Sequence, residues 1–336
     1  MPPSVAITIV GSLNIDLVSL TSRVPAPGET LYSQSFETNS GGKGANQAVA
    51  CARLSQTRRG ATVEPSYDLS VSDGSTTDPP NITVSMNGAV GDDEFGQSLI
   101  FGLEQNHIDV SGIEVRRDTK TGIAIIIVER ETGENRIILS PNANHKLRPE
   151  QFKSLPAPLP ALLVLQLEIP LDTVLQILRT AGEHNVPVLL NPAPAVCLPE
   201  QAFKAVTHLI LNESEAAILS ESSEEYVADQ ANLGSIAKSF LDSGVQYVVI
   251  TLGGKGSYYA AERGVVQGLA PAHKAKVVDT TAAGDTFVGA YAVEAVKASS
   301  RSEFDIARVV DWANKTAAKT VEKRGAQSAI PWLEEM

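Results

Sequence analysis

A repeated alternation constrains this chain more than any other feature. Short apolar runs at residues 5–10, 162–167, 186–190, 209–211 and 247–252 are each bounded by Gly, Pro or Asn. Between them lie segments whose apolar residues recur with helical spacing, around 45–54, 95–105, 171–184, 233–243, 283–296 and 304–322. Continuous apolar strands are what a parallel sheet covered on both faces requires, and crossover helices supply that cover. The spacing therefore predicts an α/β fold, with a mostly parallel central sheet between helix layers. Two β-rich runs, 122–130 and 135–139, joined through Glu131-Thr132-Gly133-Glu134, read instead as an antiparallel hairpin capping the sheet's carboxyl edge. Residues 56–80 are rich in Ser, Thr, Asp, Pro and Gly and separate a good helix from a strand at 82–86. They are expected to form a flexible surface insertion, with a regulatory or docking loop as the alternative.

Composition removes several classes of function. The formal net charge is −12, and the run Arg58-Arg59 is too short to supply a basic face, so neither nucleic acid nor an acidic membrane is an expected partner. The two cysteines, Cys51 and Cys197, stand in no metal-ligand spacing, which argues against a disulfide framework and a zinc site. The amino terminus has no basic n-region, and no stretch approaches the roughly 18 apolar residues of a membrane helix. A cytoplasmic location is expected, with the nucleus as a further compartment.

Three constellations carry the chemistry. Near the carboxyl end, Asp279-Thr280-Thr281-Ala282-Ala283-Gly284-Asp285-Thr286-Phe287 opens an apolar helix. Small residues there expose unpaired amides at the positive end of the helix dipole, which suits a transferring phosphoryl group. Asp285, in the first turn, is placed to accept a proton from an attacking hydroxyl, and the helix terminus is expected to help keep it ionised. A favourable first-turn acid beside a tight-turn glycine would show the same residues. The second constellation, Gly41-Gly42-Lys43-Gly44-Ala45-Asn46-Gln47, also opens a helix. It is not a P-loop, because Gly44 follows the Lys and Glu37 stands where the first Gly belongs. Lys43 and Asn46 offer donors and an acceptor suited to a polyhydroxylated ligand, and a plain glycine-rich turn is the alternative. The third is Gly11-Ser12-Leu13-Asn14-Ile15-Asp16, where Asn14 and Asp16 share one face of an extended segment and could grip vicinal hydroxyls or merely cap a loop. Asn212-Glu213-Ser214-Glu215 and Thr251-Leu252-Gly253-Gly254-Lys255-Gly256 follow apolar runs, where open α/β sheets bind ligands. Glu215 could hold hydrated Mg²⁺, and residues 253–256 could let a nucleotide approach the backbone.

Together these residues resemble the ribokinase-like, or PfkB, family of sugar and nucleoside kinases, over nearly the whole chain outside 56–80. The glycine-rich segment at 41–47 and the segment at 279–287 look like the family's two signature regions. Asn191-Pro192-Ala193-Pro194-Ala195, Gln166-Leu167-Glu168, Thr121-Gly122-Ile123-Ala124 and Lys323-Arg324-Gly325-Ala326-Gln327 narrow the likeness toward its ribose-phosphorylating members, away from those for fructose or adenosine. The resemblance implies a single three-layer domain over 1–336 with a small β-sheet lid, built from strands at about 14–40 and 115–140, that pairs to make a homodimer. It implies a sugar held by Asn14, Ile15, Asp16, Gly42, Lys43, Gly44, Ala45, Asn46 and Glu168. ATP with Mg²⁺ would be held by Asn212, Glu215, Thr251, Leu252, Gly253, Gly254, Lys255, Gly256 and Gly284, with Asn314 near the adenine. Asp285 would be the base and Ala283-Gly284 an anion hole. An activating K⁺ would sit on Asp279, Thr281, Thr320, Lys323 and Gly325, chiefly through backbone carbonyls. One departure weakens that set: members commonly carry a serine four residues after the glycine, and this chain has Ala329, leaving water or Ser328 to substitute. A member acting on deoxyribose, fructose or a nucleoside, and a catalytically silent sugar-binding regulator, are the alternatives.

Overall fold

The structure is a computed structural model that describes residues 4–58, 80–132, 134–300 and 304–336. Most of the expected insertion at 56–80, and Gly133 of the expected hairpin connection, lie outside the described residues. In the first half, β1 (Ser4–Val10) leads into β2 (Asn14–Thr21), β3 (Ser35–Gly41), α1 (Lys43–Ser55), β4 (Asn81–Gly91), α2 (Glu94–Gln105), β5 (Asp109–Arg116), β6 (Gly122–Glu129) and β7 (Asn135–Ser140). There follow β8 (Leu162–Leu165), α3 (Leu171–Glu183), β9 (Val188–Leu190), α4 (Glu200–Phe203), β10 (His208–Asn212), α5 (Glu213–Leu219), α6 (Glu224–Ala228) and α7 (Leu233–Asp242). The chain ends with β11 (Tyr247–Thr251), β12 (Ser257–Ala261), β13 (Val266–Ala270), α8 (Ala283–Ser300) and α9 (Ile306–Thr320).

The expected apolar runs fall inside one nine-stranded sheet of order β13-β12-β11-β10-β9-β8-β1-β4-β5. From β11 to β5 neighbouring strands are parallel, while β12 and β13 extend one edge antiparallel. The side-chain period of two explains why the runs are apolar throughout. Leu162 and Val164, Leu189, Ile210 and Val249 enter a core shared with α1, α8 and α9. Their alternates Leu163 and Leu165, Val188 and Leu190, Leu209 and Leu211, Val248 and Ile250 enter a second core with α3 and α7. Each such side chain contributes roughly 1.5–3 kcal/mol by leaving water, so a strand polar on either face would forfeit one of the two cores. The result is the expected three-layer α/β sandwich.

The sequence does not announce β5, β12 and β13. β5 and β13 are the sheet's edge strands, where one side is wet and the periodic signal fades: β5 is largely half-exposed, and Val266 and Leu269 of β13 are exposed, while β12 is a short buried strand between β11 and β13.

A separate four-stranded sheet of order β3-β2-β6-β7 forms the lid. In it β2 pairs antiparallel with β3 and parallel with β6, and β6 pairs antiparallel with β7 as the hairpin reading expects. Because β2 begins at Asn14, just beyond the end of β1 at Val10, the lid rises from the carboxyl edge of the large sheet. Asn14 and Asp16 lie opposite Gly122 and Ala124 of β6, on one face of the lid.

Candidate active site

The two motif-bearing helices start at the same edge of the sheet, but their first turns differ. At α1 the glycines serve the chain's own packing. Gly42 has φ of 87°, and a Cβ there would sit 2.7 Å from the Asn14 nitrogen and 2.8 Å from the Ser12 oxygen; one on Gly44 would sit 2.7 Å from the Ser12 nitrogen. Only glycine fits such close backbone approach in the left-handed region. The first-turn amides are then spent internally. Lys43 N donates to Glu168 Oε2 at 3.1 Å, Gly44 N to Ser12 Oγ at 3.4 Å and Ala45 N to Ser12 O at 3.0 Å. Ile15 and Ala45, expected at the sugar, are buried core side chains.

At α8 the turn stays open. Ala282 is held at φ of 59°, a left-handed conformation unusual for a non-glycine residue, and its carbonyl accepts from Thr286 N at 2.8 Å. Of the expected anion-hole pair, Ala283 N already donates to Thr280 O at 3.2 Å. The free donors at this helix start are therefore the amides of Gly284 and Asp285, which meet no acceptor among the described residues. A Cβ on Gly284 would meet nothing within 4 Å, and the residue lines an open cavity. Free amides and helix dipole together favour an anion there.

Asp285 lies between the two helix starts and is buried. Its Oδ2 accepts from Asn46 Nδ2 at 2.9 Å and its Oδ1 from Gln47 Nε2 at 3.0 Å. Burial pushes the carboxyl up from its ordinary value, more than Lys43, Asn46 and Gln47 pull it down, and Glu168 adds to the rise. The helix terminus was expected to help keep this carboxyl ionised; burial, acting the other way, is the largest influence on it. Asn46 Oδ1 is buried with no donor among the described residues, a cost that a ligand hydroxyl would remove.

Around Lys43 gather the carboxylates of Asp285, Glu168, Glu215 and Asp16. Burial works against the ammonium charge, but those four more than offset it, and the Lys43 pKa lies above its ordinary value. Glu168 Oε2 takes bonds from Ser12 Oγ, Lys43 N and, at 3.4 Å, Asn14 Nδ2; Oε1 has no donor among the described residues. Asn14 is further engaged by Asn144 Nδ2 at 2.8 Å. The Asp16 carboxyl packs where a Cβ on Gly41 would fall. Burial, with Glu168 and Asp285, pushes it up from 3.8 to about 7 against the pull of Lys43.

That last shift has a definite sign. A carboxyl whose pKa rises on folding stabilises the fold fully below the unfolded value, and the contribution is lost as pH rises through the folded one. The ligand-free protein should therefore lose melting temperature between about pH 5 and 8. Asp16→Asn, neutral throughout, should flatten that decline. Thermal melting of both proteins across the range checks this; parallel curves would show that Asp16 is ionised at both ends.

A cavity of about 250 Å³ brings together residues expected at the sugar and at the nucleotide, its lining including Lys43, Asn212, Glu215, Thr251, Gly284 and Asp285. Asn212 and Glu215 also cap α5 reciprocally, through Asn212 N and Nδ2 to Glu215 at 2.9 Å each and Glu215 N to Asn212 Oδ1 at 2.8 Å. Leu252 is buried, while Gly253, Gly254 and Lys255 form an exposed turn closed by Gly256 at φ of 100°. Asn314 does not line this cavity. Its oxygen accepts from Ser257 Oγ at 2.8 Å and its amide donates to Ala270 O at 3.2 Å, tying α9 to β12 and β13. Asp279 links two loops, accepting from Thr281 N at 2.9 Å and Gly325 N at 2.9 Å. The Thr320 carbonyl accepts from Lys323 N, whereas those of Asp279, Thr281, Lys323 and Gly325 have no donor among the described residues. Ala329 is fully buried.

Residues outside the expected set complete the site: Ser12, Gln47, Asn144, Gln166 and Asn191. Gln166 had a signal, being the one amide inside an apolar run, and it is 0% exposed. Gln47 and Asn191 stood in quoted motifs without a role. Ser12 likewise stood in a quoted motif without a role, and Asn144 gave no local signal, since its partners are remote in sequence.

Comparison with known proteins agrees with this geometry. The family described as "pfkB family carbohydrate kinase" matches residues 6–333. A ribokinase of Schizosaccharomyces pombe is 40% identical over 335 residues, covering 98% of this chain and 96% of the relative. A deoxyribokinase of Salmonella typhi is 32% identical, covering 98% and 96%. The crystal structure of a ribokinase from Thermotoga maritima superposes with a TM-score of 0.77 at 32% identity, covering 98% of this chain and 97% of that one.

Proposed function

The chain belongs to the pfkB family of carbohydrate kinases, and from that premise we propose that it transfers the γ-phosphoryl group of ATP to the 5-hydroxyl of D-ribose. The observation that carries the reading is the single cavity in which Asp285, the open Gly284 amide and Lys43 meet Asn212, Glu215 and Thr251. Phosphoryl transfer asks a protein mainly for positioning and charge neutralisation. Asp285 takes the proton from the sugar hydroxyl as its oxygen attacks the γ-phosphorus. The new O–P bond forms as the bond to the ADP oxygen breaks, and ADP leaves with that electron pair. The amides of Gly284 and Asp285 face the equatorial oxygens, and Lys43 supplies positive charge beside them. Glu168, Asp16 and Asn46 hold ring hydroxyls, and the lid excludes water that would otherwise hydrolyse ATP. Among the described residues no group of three or more acidic, His or Cys side chains could hold a metal ion. Asn212 and Glu215, which line the cavity, would hold a hydrated Mg²⁺ brought in with the nucleotide, and that ion would supply positive charge beside the phosphates.

The S. pombe relative favours ribose; the Salmonella relative keeps deoxyribose as the second reading. A panel of sugars and nucleosides assayed with ATP for ADP formation separates them, since a preference for deoxyribose, fructose or a nucleoside would replace ribose. Ribose binding without ADP formation would make the protein a silent regulator. A homodimer through the lid belongs to the same reading, supported by Ile125, Ile137 and Ile138, exposed by 42%, 58% and 60% on β6 and β7. A one-chain mass in light scattering would remove it.

The free carbonyls of Asp279, Thr281, Lys323 and Gly325 form a hard-oxygen set suited to a weakly hydrated cation, and K⁺ bound there would order the turn carrying Gly284 and Asp285. With Ala329 in place of a hydroxyl, K⁺ is expected to stimulate activity but with weaker affinity than in Ala329→Ser. Titration of KCl at constant ionic strength in both proteins, following activity and melting temperature, checks this. Flat curves in both would remove the site, and identical curves would show that Ala329 costs nothing.

A further inference from the structure

The side chains behind Asp285 form a chain of amides whose orientation is settled by one backbone carbonyl. The Ile210 oxygen can only accept, so the Asn191 atom 3.0 Å from it is Nδ2. Asn191 Oδ1 then faces Gln47 and needs a donor, which makes the Gln47 atom at 3.1 Å its Nε2. The same Nε2 lies 3.0 Å from Asp285 Oδ1. The other end of Gln47, Oε1, accepts from Gln166 Nε2 at 2.6 Å. Gln47 and Gln166 are both 0% exposed, so no solvent competes for these bonds.

Asn46 and Gln47 thus each give one N–H to Asp285, but they differ in what is left over. Asn46 keeps a buried oxygen without a donor and so has an end for a ligand. Both N–H groups of Gln47 are committed, to Asp285 and Asn191, and its oxygen is committed to Gln166. It has no donor to offer a substrate.

We propose that Gln47 is a positioning residue for phosphoryl transfer, fixing the rotation of the Asp285 carboxylate and stabilising its ionised, proton-accepting form. The inference deepens the functional reading above and rests on Asp285 being the base. Lys43 from α1, Asp16 from β2, Glu168 beyond β8 and Glu215 from α5 also face that carboxylate. Substitution at Gln47 leaves all of these charged groups in place, so a change at Asp285 is not a change in its ionic surroundings.

The test is the pH profile of kcat in Gln47→Leu and Gln47→Met. The first removes the donor but also strands Gln166 Nε2 and Asn191 Oδ1. The second removes the donor with no added charge, keeps the length and offers Gln166 a weak thioether acceptor, and carries the test if the first does not fold. Loss of a donor to an ionised carboxylate should move the acidic limb of kcat upward by about one to two pH units. Plateau kcat should fall roughly tenfold from lost orientation, with KM for sugar and ATP within about threefold of wild type. In an Asp285→Asn background the same substitutions should cost almost nothing further, because the group they act through is gone. An unmoved acidic limb, or a rate loss that simply adds to that of Asp285→Asn, overturns the role of Gln47. If Asp285→Asn alone retains wild-type kcat, the functional reading of Asp285 falls instead.

Discussion

Asp285→Asn is expected to bind sugar and ATP about as well as the wild type while kcat falls by roughly 10²–10⁴-fold, the usual worth of a positioned general base. The structure indicates why binding should survive. Asp285 receives N–H groups on both oxygens, from Asn46 and Gln47. The introduced amide can keep only one of these, since its own NH₂ would face the other donor. Gln47 is locked by Asn191 and Gln166, whereas Asn46 has a free oxygen and can turn over to accept. The substitution should therefore be absorbed by a flip of Asn46, with little change in melting temperature. Single-turnover rates together with sugar and nucleotide dissociation constants decide the matter. A loss in kcat below about tenfold would show that another group takes the proton.

Glu168→Ala should weaken sugar binding by roughly 1.5–3 kcal/mol, the worth of hydrogen bonds to a charged group, or about 10- to 150-fold in dissociation constant. Before the structure, Glu168 was only a sugar ligand by resemblance. Its Oε2 proves to clamp Ser12, Asn14 and the amide of Lys43, so truncation also unties the start of α1 from the exit of β1. A drop in melting temperature should accompany the loss of affinity. Glu168→Gln, which retains an acceptor for part of the clamp, should recover more of the melting temperature than of the affinity. ATP binding measured without sugar, by calorimetry, should hardly change in either variant. An equal loss for both ligands would mean that the clamp is purely architectural.

How much of the site was legible depended on how local each signal was. The glycines at 41–44 and the small residues before Asp285 marked two helix starts correctly, because both signals lie within one turn of the chain. Their different fates were not legible. The amides of Lys43, Gly44 and Ala45 are consumed by Ser12 and Glu168, while those of Gly284 and Asp285 stay free, and only the packed structure shows which helix start remains open to an anion. Asn314 illustrates the converse: an amide assigned by resemblance to the neighbourhood of the adenine has its donors and acceptor engaged within the chain.

The sequence by itself determined the layered α/β plan, the parallel strands from β1 to β11 in the large sheet, the β6–β7 hairpin and the positions of the two motif-bearing helices. Those features follow from hydrophobic period and turn chemistry, which operate between residues a few places apart. Tertiary structure decided the rest. The edge strands β5 and β13, and β12 beside the latter, exist because neighbouring strands recruit them, not because their own pattern demands it. The raised pKa of Asp285 comes from burial, which no local composition records. The amides that aim its carboxylate come from Asn46 and Gln47, more than 230 residues away along the chain, and hydrogen bonds across such separations leave no periodic trace in a sequence.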